Sequence, residues 1–316
     1  MTCMDRRQSF AAGMALAVAA TVPGCKKSAR AIPEVEAIWG RRGIGQGRLQ
    51  RPRAIVIDEQ DRLYLVDITG RIQVFDRNGN LMHYWRTPSI ERGRPVGLGL
   101  TSAGDVLVAD THYHQLLVYS RQGELLTERT LGGTEGHAPG EFEFVTDAIE
   151  SPQGFLFVGE YGRNDRIQKF TSDGEFVLEW GGHGGGPGQF RRPQSLKLAP
   201  DGLLWIADAC NHRIQIYDIH EDEPKLVGMW GTPGRSLGQL QFPYDLAFDR
   251  QGHVFVCEFG NQRIQKFTLE GEPLVCWGSP GRGPGQLSRP WGVACDSKDR
   301  LHVLDTYNHR VQRLHI

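Results

Sequence analysis

Apolar and polar residues along most of this chain alternate in short runs, with no sustained helical period. Residues 244–248, 253–257, 263–267 and 273–277 each read as a half-buried strand. Between them stand turn signals, Asp249-Arg250-Gln251-Gly252 and Leu269-Glu270-Gly271-Glu272, and one loop, residues 258–262. Glycine serves such turns because it reaches positive φ without a steric penalty. The same strand grammar reads through the chain, with Asn78-Gly79, Gln122-Gly123 and Asp173-Gly174 at equivalent tight turns.

The repeats align on an aromatic-Gly step: Trp39-Gly40, Trp180-Gly181, Trp230-Gly231 and Trp277-Gly278, with Trp85 and Leu131-Gly132 in the two degenerate places. A proline follows each mark at Pro52, Pro95, Pro193, Pro243 and Pro290, and Val145 stands in its place in the third repeat. The period lies within reach of propeller-blade spacing. Asn211-His212-Arg213-Ile214 and Asn308-His309-Arg310-Val311 resemble the NHL motif, and Asn261-Gln262-Arg263-Ile264 is a near variant. The chain is identified as a member of the NHL-repeat family. The resemblance implies an all-β fold, a six-bladed β-propeller of four-stranded antiparallel blades. The last repeat stops after its third strand, and residues 34–39 form an orphan fourth strand at the other end. The expectation is that the N-terminal strand completes the last blade, since ring closure removes exposed sheet edges.

The first residues follow another pattern. Arg6 and Arg7 precede a short apolar run, residues 11–22, and then Gly24-Cys25 and Lys26-Lys27. A charged start, a short apolar stretch and a small-residue cut site predict an export signal. The arginine pair resembles a twin-arginine signal, and the end resembles a lipobox with Cys25 as the lipidated residue; a plain cleaved signal with an incidental Cys25 is the alternative. The domain reading is therefore a signal over residues 1–24, a tether over 25–33 and the propeller over 34–316. The location expected is the periplasm or cell surface, with the protein held at the membrane by its lipid.

Composition adds limits. The net charge is -1, which gives no overall basic field for nucleic acid. None of Cys210, Cys257, Cys276 and Cys295 forms a Cys-x-x-Cys zinc pair.

An acid ends every second strand (Asp67, Asp110, Glu160, Asp208, Glu258, Asp305), and Arg71, Gln115, Arg166, Arg213, Arg263 and Arg310 open the third strands. Residues present in every blade read as a scaffold clasp across the loop, and His212 and His309 read the same way. A site is expected where blades differ. The two positions after the proline mark line the channel mouth on the long-loop face. They supply Arg53, Thr146, Asp147, Gln194, Tyr244, Asp245 and Trp291, a mixed set able to orient a polar ligand. Asp147 and Asp245 share one repeat position and could converge on a cation or a hydroxyl. His112, His114, His137 and His183 lie on loops without the tight spacing of a zinc site.

The expected function is a binding module that recognises a protein, peptide or glycan through the long-loop face, as a monomer. The alternative is a propeller enzyme, a lyase or a lactonase-like hydrolase, with its site at the channel mouth. The family resemblance implies a His-held metal for the lyases and calcium for lactonase-like propellers. The mouth holds no His, and Asp147, Asp245 and Gln194 imitate a calcium site only loosely, so calcium or zinc is possible and neither is assigned. No Ser-His-Asp or nucleophilic Cys arrangement is legible.

Overall fold

A computed structural model describes residues 34–315; the export signal and tether expected from the sequence lie outside the described residues. The chain forms six four-stranded antiparallel sheets. Five, numbered blades 1 to 5 in chain order from Pro52, are built from consecutive strands, and the closing sheet is blade 6. The sixth joins the strand Glu34–Trp39 to the last three strands of the chain, Val293–Cys295, Arg300–Asp305 and Arg310–His315. Glu34 pairs with His315 and Trp39 with Val311, so the N-terminal strand closes the ring as its pattern predicts. The expected strands of the fifth repeat match to within a residue, as in His253–Glu258 and Arg263–Thr268.

The blades are amphipathic by layer. Second and third strands are almost wholly buried, while outer strands such as Phe176–Gly181 alternate between half-buried and exposed. Apolar clusters fill the spaces between neighbouring blades. Leu98 and Val106 of blade 2, for example, share one cluster with Ala54 and Val66 of blade 1. Each outer-strand tryptophan packs forward on the following blade. A Cβ on Gly79 would meet the Trp39 ring at 2.4 Å, and one on Gly271 the Trp230 ring at 2.7 Å. Only glycine leaves space there, and its positive φ suits the turn.

Blade 2 departs from the pattern. Its outer strand is only Leu131–Gly132, preceded by a 3-10 turn over Thr127–Arg129. Its inner strand, Gly97–Leu100, lies against that of blade 3, Phe144–Glu150. A Cβ on Gly97 or Gly99 would come within 2.1 Å of a blade 3 carbonyl oxygen. The inner strands of all blades surround the central channel. On one face it opens through a cavity of about 310 Å³; on the long-loop face it is nearly shut.

Candidate functional site

The repeated acids and arginines form the clasp that repeat logic assigns to them. Arg71 lies 2.5 Å from Asp67, Arg213 2.8 Å from Asp208, and Arg310 2.7 Å from Asp305. The same guanidiniums donate to carbonyls of the between-blade loop, as Arg213 does to Gly185, Gly186 and Gln189. The NHL histidines are also structural. His212 and His309 take left-handed backbone at the ends of 3-10 turns, with φ of 57° and 58°. Their Nδ1 atoms accept the backbone N–H of Phe242 and Arg51 in the next blade. His183 is held by Asp165 at 2.5 Å, while His114 and His137 each lie 3.8 Å from a different glutamate. No group of three or more His, Cys, Asp or Glu side chains placed to hold a metal ion occurs among the described residues.

The residues predicted at the mouth do come together. Arg53, Asp147, Gln194, Tyr244, Asp245 and Trp291 line one constriction of about 10 Å³. Thr146 is the exception. It is fully buried, and its hydroxyl donates to the Pro193 carbonyl, tying blade 3 to blade 4. Tyr244 and Trp291 meet edge-on at 5.0 Å between ring centroids, and Phe259 stacks on Tyr244 at 4.6 Å. These three rings close the mouth.

Around them lie five arginines, of which the sequence pattern predicted only Arg53. The Arg53 guanidinium sits 5.2 Å over the Trp291 ring. Arg192 lies over Tyr161 at 4.8 Å and Tyr244 at 5.4 Å. Arg289 and Arg51 both cover the Tyr307 ring, at 5.0 and 4.9 Å. Arg94 reaches the same rim, held by the carbonyls of Ile90 and Gly93. Among the described residues, none of these five arginines has a carboxylate within salt-bridge distance. Burial lowers the Arg53 pKa; Tyr307 opposes that shift, and Arg192 and Arg94 add to it. Burial also lowers the pKa of His112, with Arg53, His114 and Arg94 acting in the same sense. The sequence does carry a signal for these residues: an Arg-Pro step recurs at Arg51, Arg94, Arg192 and Arg289. Its arginine stands one place before the proline mark, two places before the first of the positions compared above.

Beneath the rim, Asp147 and Asp245 converge, on a cation that belongs to the chain. Lys197 Nζ lies 3.3 Å from Asp147 Oδ2 and 3.2 Å from Asp245 Oδ1. Gln194 is drawn away, its Oε1 accepting from Arg192 Nε at 2.7 Å. A calcium ion needs 6–8 oxygen ligands. Two carboxylates already facing an ammonium, without the amide, do not fit one as they stand. The arrangement can present several guanidiniums and aromatic rims to an anion, above an acidic floor partly neutralised by Lys197.

Comparison with known proteins agrees with the fold. The family described as SMP-30/Gluconolactonase/LRE-like region matches residues 52–287, and the NHL repeat matches residues 287–314. The chain is 36% identical over 191 residues to peptidyl-glycine alpha-amidating monooxygenase A of Xenopus laevis, covering 57% of this chain and 19% of that protein. It is 27% identical over 179 residues to NHL repeat-containing protein 3 of Mus musculus, covering 52% of this chain and 51% of that protein. It therefore spans only a minor part of the amidating enzymes it matches, 18% of the Rattus norvegicus protein. A solved structure described as a putative gluconolactonase superposes with a TM-score of 0.65 at 14% identity, covering 91% of this chain and 96% of that one. A streptogramin B lyase structure gives 0.61 at 16% identity, covering 84% and 94%. These likenesses establish the fold.

Proposed function

We propose, from the premise that the chain belongs to the SMP-30/gluconolactonase/LRE-like family and is an NHL-repeat propeller, that it is an exported, lipid-anchored binding module. Its long-loop face captures an anionic ligand, a carboxylate- or phosphate-bearing peptide, protein segment or glycan. The observation that carries this reading is the set of arginines Arg51, Arg53, Arg192 and Arg289, stacked on aromatic rings, with Arg94 beside them held by backbone carbonyls, all five without carboxylate partners among the described residues. Guanidinium forks match carboxylate and phosphate geometry, and aromatic stacking pre-orders them. Clustered like charges oppose one another until an anion arrives.

The test uses the mature protein and a hexaglutamate peptide, read by calorimetry at low and moderate salt. The wild type should bind, with affinity falling as salt rises. Arg53→Ala combined with Arg192→Ala should weaken binding by about tenfold or more, since truncating a charged partner typically costs about 2–5 kcal/mol. Equal binding by wild type and double variant would reject the site.

The family description and the names of the similar proteins favour a second reading, a lyase or lactonase-like hydrolase acting at the same mouth. Turnover of gluconolactone or of a streptogramin B, abolished by Arg53→Ala, would establish it.

A further inference from the structure

The waist of the channel is built from three successive blades. Asp147 stands on the inner strand of blade 3, Lys197 on that of blade 4, Pro193–Leu198, and Asp245 on that of blade 5, Pro243–Phe248. Both carboxylates are buried, at 4% and 6% exposure. Each is also held by the inner strand of the next blade. Asp147 Oδ2 accepts the N–H of Leu196, and Asp245 Oδ2 that of Val293, both at 3.0 Å. Ser195 donates its hydroxyl to Asp245 Oδ1 at 2.7 Å. These donors fix the direction of the oxygens, but none brings a full positive charge. Desolvating an ion costs several kcal/mol, so two buried carboxylates aimed at one point require a cation there. Among the described residues, Lys197 alone supplies it within salt-bridge distance. Burial and Asp245 raise the pKa of Asp147 against the Lys197 charge, and the two carboxylates keep Lys197 protonated despite its burial.

We propose that the waist is a cation-binding site whose resident cation is the Lys197 ammonium, so that the native channel takes no divalent metal ion there and becomes a calcium site when the ammonium is removed. The oxygens are hard donors of the type calcium uses, and calcium–oxygen distances of about 2.3–2.6 Å require only a small inward movement from the present geometry. On this inference the ammonium takes the place of a bound ion, offsetting one of the two carboxylate charges and joining three blades. Binding at the mouth then requires no divalent ion held at the waist. The inference is independent of the ligand proposed for the rim.

The experiment is calcium titration by calorimetry, with terbium luminescence and thermal melting in parallel, on the mature wild type, Lys197→Met, and Lys197→Met with Asp245→Asn. The wild type should show no saturable calcium site and the same melting curve with and without chelator. Lys197→Met should bind one calcium ion per chain and melt higher with calcium than without. The added Asp245→Asn should lose that gain. A Lys197→Met chain that folds only with calcium supports the inference as well. Stoichiometric calcium bound by the wild type and lost in Asp147→Asn would overturn it. So would a Lys197→Met chain that binds none, or one that fails to fold even with calcium.

Discussion

At the scale of single residues, the informative positions are those where the repeat changes a letter. Blade 2 has Gln115 where the other blades have arginine, and Gln115 Nε2 meets Asp110 Oδ2 at 3.0 Å. Without a guanidinium, burial pushes the Asp110 carboxyl up to about 6, and its Oδ1 has no partner. A carboxyl raised in the fold favours the folded state when protonated. The stability it contributes is fully present below the usual carboxylate range and is lost as pH rises through about 6. Its full span is at most about 3 kcal/mol, at ~1.36 kcal/mol per unit. Gln115→Arg should restore the clasp, raise stability at neutral pH by about 1–3 kcal/mol, and flatten this slope between pH 4 and 6. Denaturant melts of both proteins across that range measure it, and parallel curves would show that the clasp is not charge-limited. The mouth shows what residue-level reading reaches. Arg53, Asp147, Gln194, Tyr244, Asp245 and Trp291 were legible because blades differ at those positions, and they do converge. Lys197 was not, because it sits two residues further along an apolar strand, where only the spacing of the inner strands brings it between two aspartates. Thr146 fails for the same reason in reverse: its backbone stands at the mouth, but its hydroxyl serves the next blade.

At the scale of elements, strand alternation and turn chemistry determine nearly everything. The blade count, the four strands per blade and the closing strand all follow from a pattern repeated often enough to correct local ambiguity. The degenerate outer strand of blade 2 is where that redundancy runs out. The 3-10 turn over Thr127–Arg129 replaces regular pairing where no aromatic-Gly mark fixes the register. The closing strand is the element most open to test. Residues 34–39 pair with residues 311–315 of the last strand, and Val35 packs into the apolar cluster between blades 5 and 6. Removing 33–40 would expose that edge and cluster, and would also free the Trp39 ring from Phe75, 4.8 Å away in blade 1. The deletion should lower the melting temperature of the whole ring by at least about 10 °C, since burial of one large apolar side chain alone is worth about 1.5–3 kcal/mol. A truncated chain with an unchanged melting temperature would mean that the ring closes elsewhere.

At the scale of the whole molecule, the net charge of -1 conceals a segregation. Five arginines without carboxylate partners among the described residues gather at one mouth, while clasp acids such as Asp67, Asp208 and Asp305 are paired with arginines. Composition therefore excluded a basic field correctly as a total and missed a local one. The closing strand also determines where a tether would join the propeller, because Glu34 pairs with His315 at the outer edge of blade 6. An anchor at Cys25 would hold the ring by its rim and leave the axial mouth free to meet a ligand, which is the geometry a surface receptor needs. No helix among the described residues is long and apolar enough to cross a membrane. The apolar run at 11–22, about a dozen residues, falls short of the ~20 that a permanent span requires. If the tether is lipid alone, membrane association depends on one sulfur atom. Cys25→Ser should then move the protein from the membrane to the soluble extracytoplasmic fraction, with its melting temperature and its affinity for hexaglutamate unchanged. Fractionation of the native host expressing each form decides it. A serine variant that stays with the membrane would refute the anchor and shift attention to the propeller surface as the membrane contact.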